Sequence, residues 1–361
     1  MLAVFAAVTM GVVFIWSASH NPDGTVSMRA PIKQCIWATV GFIIFLITAR
    51  IDYNLFRRYG FFIFISNVII LGLLFTPLGS EVNNSRAWIR IGGFSIQPSE
   101  FMKLSLIIGM SRYLMREKNL HSAPHLIMPI LIMAVPIALI LKQPDLGTAI
   151  TLLPIFCAIM YIGGVSRKHL FMSFFAFIGL ALTMWFGNIM TDYQKRRIFA
   201  FLNPDEYRVD EAYQLIQSKI AIGSGGFWGM GIGEGYQNRF GYLPTVTKNN
   251  DFIFAVIAEE SGFIGITFLT VLFLIIGLAI ASTAIKTREP FARLFCMGVF
   301  GWIMGQFFVN CGVALGLLPT TGVPLVFVSS GGSSLISIFI ALGIVTNIRI
   351  NKKSYIHSTK T

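Results

Sequence analysis

Charge is scarce in this sequence, and acid is the scarcer sign. Of 361 residues 12% are charged, with 16 acidic against 28 basic side chains. A soluble domain carries about twice that charged fraction, so a soluble globular protein is excluded. Cysteine is nearly absent too. Cys35, Cys157, Cys296 and Cys311 all fall within or at the ends of apolar stretches without metal-ligand spacing, and read as buried apolar thiols. The five histidines, His20, His121, His125, His169 and His357, sit in loops or near helix ends and suggest no catalytic role. There is no Walker loop, no serine–histidine arrangement, no separate soluble domain and no low-complexity tail.

What fills the chain instead is apolar. Hydrophobic residues make up 55% of it and the mean hydropathy is +0.72. The apolar segments run for ~20 residues without alternation, where barrel strands would alternate over ~10. The fold class expected is therefore all-α: one polytopic membrane domain over 1–361 with about ten spans. These fall near 1–19, 31–49, 59–76, 99–115, 125–141, 147–163, 169–190, 252–283, 291–314 and 332–350. The first, MLAVFAAVTMGVVFIWSASH, lacks a basic n-region and a cleavage site and is a span, not a signal peptide. Met1 lies almost inside it, so the sequence leaves open whether a few natural N-terminal residues precede it.

The net charge of +12 would suggest nucleic acid in a soluble protein; here the positive-inside bias accounts for it, and no nucleic-acid partner is expected. Arg50, Arg57 and Arg58, then Arg112, Arg116 and Lys118, then Arg167 and Lys168, then Lys286, Arg288 and Arg293 lie on alternate connections. The tail adds Arg349, Lys352, Lys353 and Lys360. The opposite short connections hold only Arg29, Lys33, Arg86, Arg90 and Lys142. Both termini are thus expected in the cytoplasm. Residues 191–250 form a long outward loop, exempt from the charge rule by its length and expected to be partly helical, with amphipathic pieces on the membrane surface. Its SKIAIGSGGFWGMGIGEG stretch has glycines suited to tight turns and close backbone approach.

Polar residues in such a chain need a reason. NNDFIFAVIAEESG at 249–262 opens on Asp251, which could cap a helix or act as a base where the outward loop meets the bilayer. Glu259 and Glu260 lie ~12 Å deeper and read first as partners of another helix. In FSIQPSEFMKLSLI, Ser99 can cap, Pro98 fixes the entry, and Glu100 and Lys103 share one helix face; they pair structurally or meet a substrate. In LKQPDLGTAI, Asp145 with Thr148 either starts the next span or joins the same surface. Residues 317–337, LLPTTGVPLVFVSSGGSSLIS, are rich in Pro, Gly and Ser and suit a re-entrant-like outer loop lining a cavity. Arg86, Arg90, Lys195, Arg196 and Arg197 either anchor helices to headgroups or offer guanidinium forks to a pyrophosphate. These features fit a membrane glycosyltransferase or a transporter.

The motifs SRAWIRIGGFSIQPSEFMK, QPDLGT, SKIAIGSGG, DFIFAVIAEESG and LLPTTGVPLVFVSSGGSS follow one another along nearly the whole chain. Together they resemble the shape, elongation, division and sporulation (SEDS) family of bacterial cell-wall proteins. QPDLGT and the lysine of QSKIAIGSGG look more like its elongation branch, with the division branch second. The resemblance implies a peptidoglycan glycosyltransferase that polymerises lipid II at the outer face of the cytoplasmic membrane. It implies that Asp251 is the essential catalytic acid and that Glu100 and Lys103 line a central cavity. It also implies a class B penicillin-binding protein as transpeptidase partner, since no transpeptidase domain is present. Two stretches depart from the family pattern. LPTVTKNNDFIF replaces LPExHTDFIF, with Thr245 in place of the acid and about two extra residues. PLVFVSSGG replaces PLPFxSYGG, with Val326 and Ser330 for Pro and Tyr.

The mechanism expected has a GlcNAc 4-hydroxyl attacking the anomeric carbon of MurNAc on another lipid II, with inversion. Asp251 would take the proton, since such bases contribute ~10²–10⁴-fold. The polyprenyl pyrophosphate leaves, its charge met by Arg196, Arg197, Lys195 or Arg86, or by a divalent cation such as Mg or Mn. Glu100, Lys103, Asp145 and Ser99 would contact substrate or hold the cavity, and the prenyl tails would lie among membrane lipid in grooves between helices. Rival readings are a lipid II flippase, which would favour internal repeats not evident here, and a non-catalytic scaffold for the transpeptidase.

Overall fold

A computed structural model describes residues 1–20, 25–82, 85–91, 94–117, 123–187, 192–207, 212–244 and 248–358. All ten expected spans coincide with helices. They are α1 (Leu2–Ser17), α2 (Arg29–Arg50), α3 (Tyr53–Leu73), α4 (Pro98–Leu114), α5 (Ile127–Lys142), α6 (Leu146–Ile162) and α7 (Arg167–Phe186), followed after the long loop by the last three. The loop itself carries α8 (Asp192–Leu202), α9 (Tyr213–Ser224) and a short α10 (Tyr236–Arg239). The last three spans are α11 (Ile253–Lys286), α12 (Pro290–Ala314) and α13 (Gly332–Ser358). Among the described residues α2, α3, α11, α12 and α13 are long and apolar enough to cross a membrane, and α1, α5 and α6 are shorter apolar helices.

One element departs from the all-helical expectation. Residues before α4 form a three-stranded antiparallel sheet of β1 (Ser80–Val82), β2 (Ser85–Ile91) and β3 (Phe94–Ile96), in that order. Its register pairs Ser80 with Trp88 and Ile89 with Ile96. The alternation in SRAWIRI suits a strand, but seven residues between two hydrophobic spans are easily read as a connection.

The chain divides into two compact units built from separated stretches. The first comprises Met1–Thr39, Met190–Ile276 and Gln306–Gly332; the second comprises Val40–Ile189, Gly277–Gly305 and Ser333–Thr361. In the second, small residues let helices approach closely, as in membrane bundles. A Cβ on Gly301 would come within 2.6 Å of the Pro154 carbonyl, and one on Gly305 would strike the Pro154 ring, so α12 lies hard against α6. Asn347 closes the turn between α2 and α3 by accepting from the Tyr53 amide at 3.0 Å and donating to the Ala49 carbonyl at 2.9 Å. Gln143, buried between α5 and α6, donates to the Leu71 carbonyl at 3.0 Å, while its own carbonyl accepts from Ser85 of the sheet at 2.7 Å.

The first unit is organised by a break in α11. Gly262 takes φ 62 and ψ −160 inside that helix, a conformation open essentially to glycine alone. The break frees the carbonyls of Glu259 and Glu260 and the amides of Phe263 and Ile264. The glycine-rich loop after α9 satisfies all four. Met230 and Gly231 amides donate to the two carbonyls at 3.0 Å each, and the Gly226 and Phe227 carbonyls accept from the two amides at 2.9 and 3.3 Å. Such an exchange needs bare backbone on both sides. Gly229, at φ +82, lies against the Glu260 carbonyl, and Gly225 against that of Ala258. The close approach expected of SKIAIGSGG is this contact. Replacing Gly262 by alanine should destabilise the protein by at least about 2 kcal/mol, from backbone strain alone. The new Cβ would also meet the Phe227 carbonyl at 2.7 Å. A thermal unfolding midpoint in detergent equal to that of wild type would contradict this account.

Candidate active site

Asp251 lies just before α11, next to Phe252, whose carbonyl accepts from the Ala255 and Val256 amides as the helix begins. Phe252 therefore holds the cap position, and Asp251 stands one residue outside it. Phe252 through Ala258 are all buried, which seats the helix start firmly. The residues ahead of it are held by their main chain. The Asn249 carbonyl accepts from the Ser330 amide at 3.0 Å, the Asn250 carbonyl from the Ser329 hydroxyl, and the Asp251 carbonyl from Asn310 Nδ2 at 2.9 Å. Asn310 also donates to the Val323 carbonyl at 2.7 Å, so one amide ties Asp251 to the segment between α12 and α13.

That segment is the expected re-entrant-like loop, and among the described residues it is irregular backbone packed inside protein. Val323, Leu325, Val326, Phe327 and Val328 are buried, and Phe327 is held at φ +68 beside the Phe273 ring, centroids 6.2 Å apart. An acid and a cation from elsewhere in the chain both reach this loop. A Cβ on Gly322 would lie 3.6 Å from Asp251 Oδ2, and Arg197 Nη1 donates to the Thr320 carbonyl at 3.3 Å. The structure thus brings Asp251 and Arg197 to one short stretch, Thr320 to Gly322. Lys195 and Arg196 follow on the same amphipathic α8, Arg196 exposed and Lys195 half-buried.

Glu259 and Glu260 are structural partners, as their position suggested. Glu259 accepts from the Gln237 amide at 2.7 Å and the Asn238 amide at 3.3 Å, charging the N-terminal end of α10. Glu260 Oε1 accepts from Ser17 Oγ at the end of α1 and from Asn238 Nδ2 at 2.8 Å.

The second unit holds the other expected residues. Glu100 and Lys103 form an ion pair at 2.7 Å with their side chains 3% and 1% exposed, and the ammonium lies 5.6 Å from the centre of the Trp302 ring. Asp145 caps α6, accepting from the Thr148 amide at 3.0 Å and hydroxyl at 2.7 Å, and from Gln97 at 3.1 Å. Desolvation raises its carboxyl pKa, the Thr148 bonds oppose that, and the charges of Glu100 and Lys103 both act on it. Gln97 in turn takes the cap position of α4, and its amide donates to Ser333 Oγ at 3.0 Å. Ser99 is therefore no cap, because Pro98 begins the helix one residue earlier; its buried Oγ has no hydrogen-bond partner. Arg86, on the sheet, is exposed and turns back to donate to the Gly79 carbonyl at 3.2 Å.

Within this unit the structure gathers Glu100, Lys103 and Asp145 but leaves Arg86 in its own hairpin. Gln97, Asn310 and Trp302 escape sequence reasoning because each acts through a partner distant in the chain. Lys248 could have been noticed, as the one cation within three residues of Asp251. Thr245, Lys118, Arg208 and His121 lie outside the described residues. Among the described residues no group of three or more His, Cys, Asp or Glu side chains is placed to hold a metal.

The fold is that of a polytopic, mostly helical membrane protein. A family model described as "Cell cycle protein", covering FtsW, RodA and SpoVE, matches residues 1–354, and the chain belongs to this SEDS family. A probable peptidoglycan glycosyltransferase FtsW of Geobacter sulfurreducens is 36% identical over 98% of this chain and 95% of its own. The peptidoglycan glycosyltransferase RodA of Treponema pallidum is 30% identical over 96% of both. Both branches therefore span the whole chain. Among solved structures, a peptidoglycan synthase complex that coordinates polymerization and crosslinking matches with a TM-score of 0.82 at 26% identity, over 97% of this chain and 96% of that one. RodA of Thermus thermophilus matches at 0.71 and 26%, over 97% and 95%.

Removing one partner of the buried pair should strand the other charge. Glu100→Gln or Lys103→Met is expected to cost about 3–5 kcal/mol, and the double substitution to recover most of it. Thermal unfolding of the three variants checks this, and equal losses for single and double variants would contradict it.

Proposed function

We propose that the chain polymerises lipid II into β(1→4) glycan strands, with Asp251 as general base. The observation that carries this reading is the seat of Asp251. Three consecutive carbonyls are tied down, and the carboxylate stands beside Gly322, next to the stretch that Arg197 grips. A base is effective only when its oxygen is held where the proton will be. Asp251 removes the proton of the acceptor 4-hydroxyl as that oxygen bonds to the donor's anomeric carbon. The bond from that carbon to the polyprenyl pyrophosphate breaks on the opposite face. Arg197, with Lys195 and Arg196 on α8, would meet the leaving charge; a guanidinium fork suits it. In the other unit, the buried Glu100–Lys103 pair with Asp145 and Ser99, together with Arg86, is read as the further set of substrate-contacting residues.

The chain is read as one SEDS domain, with both termini cytoplasmic and Asp251 outward, on the strength of the basic connections. The partner is a class B penicillin-binding protein, a reading supported by the likeness to a synthase complex that joins polymerization to crosslinking. Elongation and division roles both fit the relatives; complementation of a rod-shape and a division mutant would separate them.

The experiment is polymerisation of purified lipid II by the detergent-purified protein with its transpeptidase, comparing wild type with Asp251→Asn. The amide keeps the shape and removes the base, so polymer should fall by about 10²–10⁴-fold while the variant still folds and binds its partner. Equal polymer from both would end the general-base reading. No polymer from wild type, where a known glycosyltransferase gives it, would make lipid flipping the better account.

A further inference from the structure

Lys248 is among the largest fully buried side chains in the protein, 1% exposed, although it lies in the loop three residues before Asp251. Its Nζ donates to the His20 carbonyl at 2.9 Å, Asn238 Oδ1 at 3.1 Å and the Asn238 carbonyl at 3.4 Å. An ammonium has three N–H groups and no acceptor, so three oxygens match its charged form. Asn238 passes the polarity on. Its Nδ2 donates to Glu260 Oε1 at 2.8 Å, and to the Ser17 carbonyl and hydroxyl at 3.0 and 3.1 Å. The amide can face only one way, oxygen to the ammonium and N–H to the carboxylate. A buried cation on the Asp251 segment is thereby joined through one amide to a buried anion on α11.

Folding does not call for this arrangement. Apolar residues in place of a whole buried charged network are often neutral or stabilising, whereas losing one member alone is costly. What the charge adds is direction and place. The main chain from 249 to 251 is gripped by Ser330, Ser329 and Asn310, and Lys248 grips the residue before them from α10 and the end of α1. We propose that Lys248, acting through Asn238 and Glu260, is the positioning residue that fixes Asp251 for proton transfer. The inference rests on the reading of Asp251 as general base.

Burial pushes the Lys248 ammonium down to about 8, and the Glu260 charge opposes that shift. The other charged groups around the cluster have hydrogen-bond partners of their own, and Glu259 and His20 also feel the Glu260 charge. Glu259 faces the amides of Gln237 and Asn238, His20 Nδ1 lies 2.8 Å from the Ser17 carbonyl, and Arg239 pairs with exposed Glu234 at 2.6 Å. Above pH about 8 the lysine loses one of its three N–H donors, so turnover should fall on that alkaline side. Stability moves the other way. From about 8 up to the ordinary lysine value of 10.5 the folded form binds fewer protons than the unfolded, so stability rises with pH. Opposite trends in one pH window separate positioning from simple scaffolding.

The test uses the full-length protein with its transpeptidase and purified lipid II, comparing wild type, Lys248→Met, Lys248→Arg and Asp251→Asn across pH. Lys248→Met leaves buried oxygens and the Glu260 charge unmatched and should lower the unfolding midpoint. Assayed well below that midpoint, it should still lose on the order of 10²-fold in kcat, as small misplacements do, with KM unchanged. Its residual activity should lack the alkaline decline. Lys248→Arg should restore part of kcat and lose the decline near pH 8, because a guanidinium stays protonated. The inference is overturned if Lys248→Met keeps wild-type kcat and the same decline, or loses activity only in step with its unfolding midpoint. If Asp251→Asn is inactive while Lys248→Met is normal, only this inference falls. If Asp251→Asn polymerises normally, the general base falls and the role of Lys248 falls with it.

Discussion

The break in α11 at Gly262 is the constraint on which the first unit depends. Inside a membrane protein, main-chain groups released from a helix must find partners in the protein itself. The 225–231 loop supplies them, and its glycines are what permit the approach. Once that loop is seated, Glu259 can receive the amides that open α10, and Glu260 can reach Ser17 and Asn238. Two carboxylates that look misplaced in an apolar run are thus consequences of one interrupted helix.

The proposed base, Asp251, stands at the other end of the same segment. The turn of backbone that precedes α11 is tied through Ser329, Ser330 and Asn310 to the loop before α13, and Arg197 reaches that loop from α8. In the second unit the same economy of charge recurs. Glu100 and Lys103 are paired, with Trp302 over the cation, and Asp145 is satisfied by Thr148 and Gln97. Charged side chains are few, and those that are buried stand in defined polar surroundings.

Hydropathy alone located the helix at each of the ten expected spans, because uninterrupted apolar runs have few other solutions. The family motifs marked Asp251, Glu100, Lys103 and Asp145. What hydropathy misses is whatever depends on backbone or on distant partners. Gly262 within EESGFIG reads as a tolerated helix glycine, since only φ and ψ reveal the break. The strand hairpin hides in a stretch short enough for a connection. Ser99 lies two residues from the true cap, Gln97, an error inherent in placing helix ends. Lys248 looked like any loop cation, because burial is a property of the fold and not of the residue. The carbonyl ties leave no trace in the side chains of Asn249, Asn250 and Asp251 themselves.

Those carbonyl ties have a consequence for divergence. A contact made by main chain does not care which side chain the residue bears, so Asn249 and Asn250 can drift without loosening what they hold. Asn249 even has freedom to improve, since its buried Oδ1 lacks a partner and a smaller apolar residue would remove that cost. The pressure to stay constant falls instead on Ser329 and Asn310, far away in the chain, whose side chains do the holding. Substitutions tolerated beside the proposed base, and forbidden some sixty to eighty positions beyond it, are therefore the pattern this geometry should leave in a lineage.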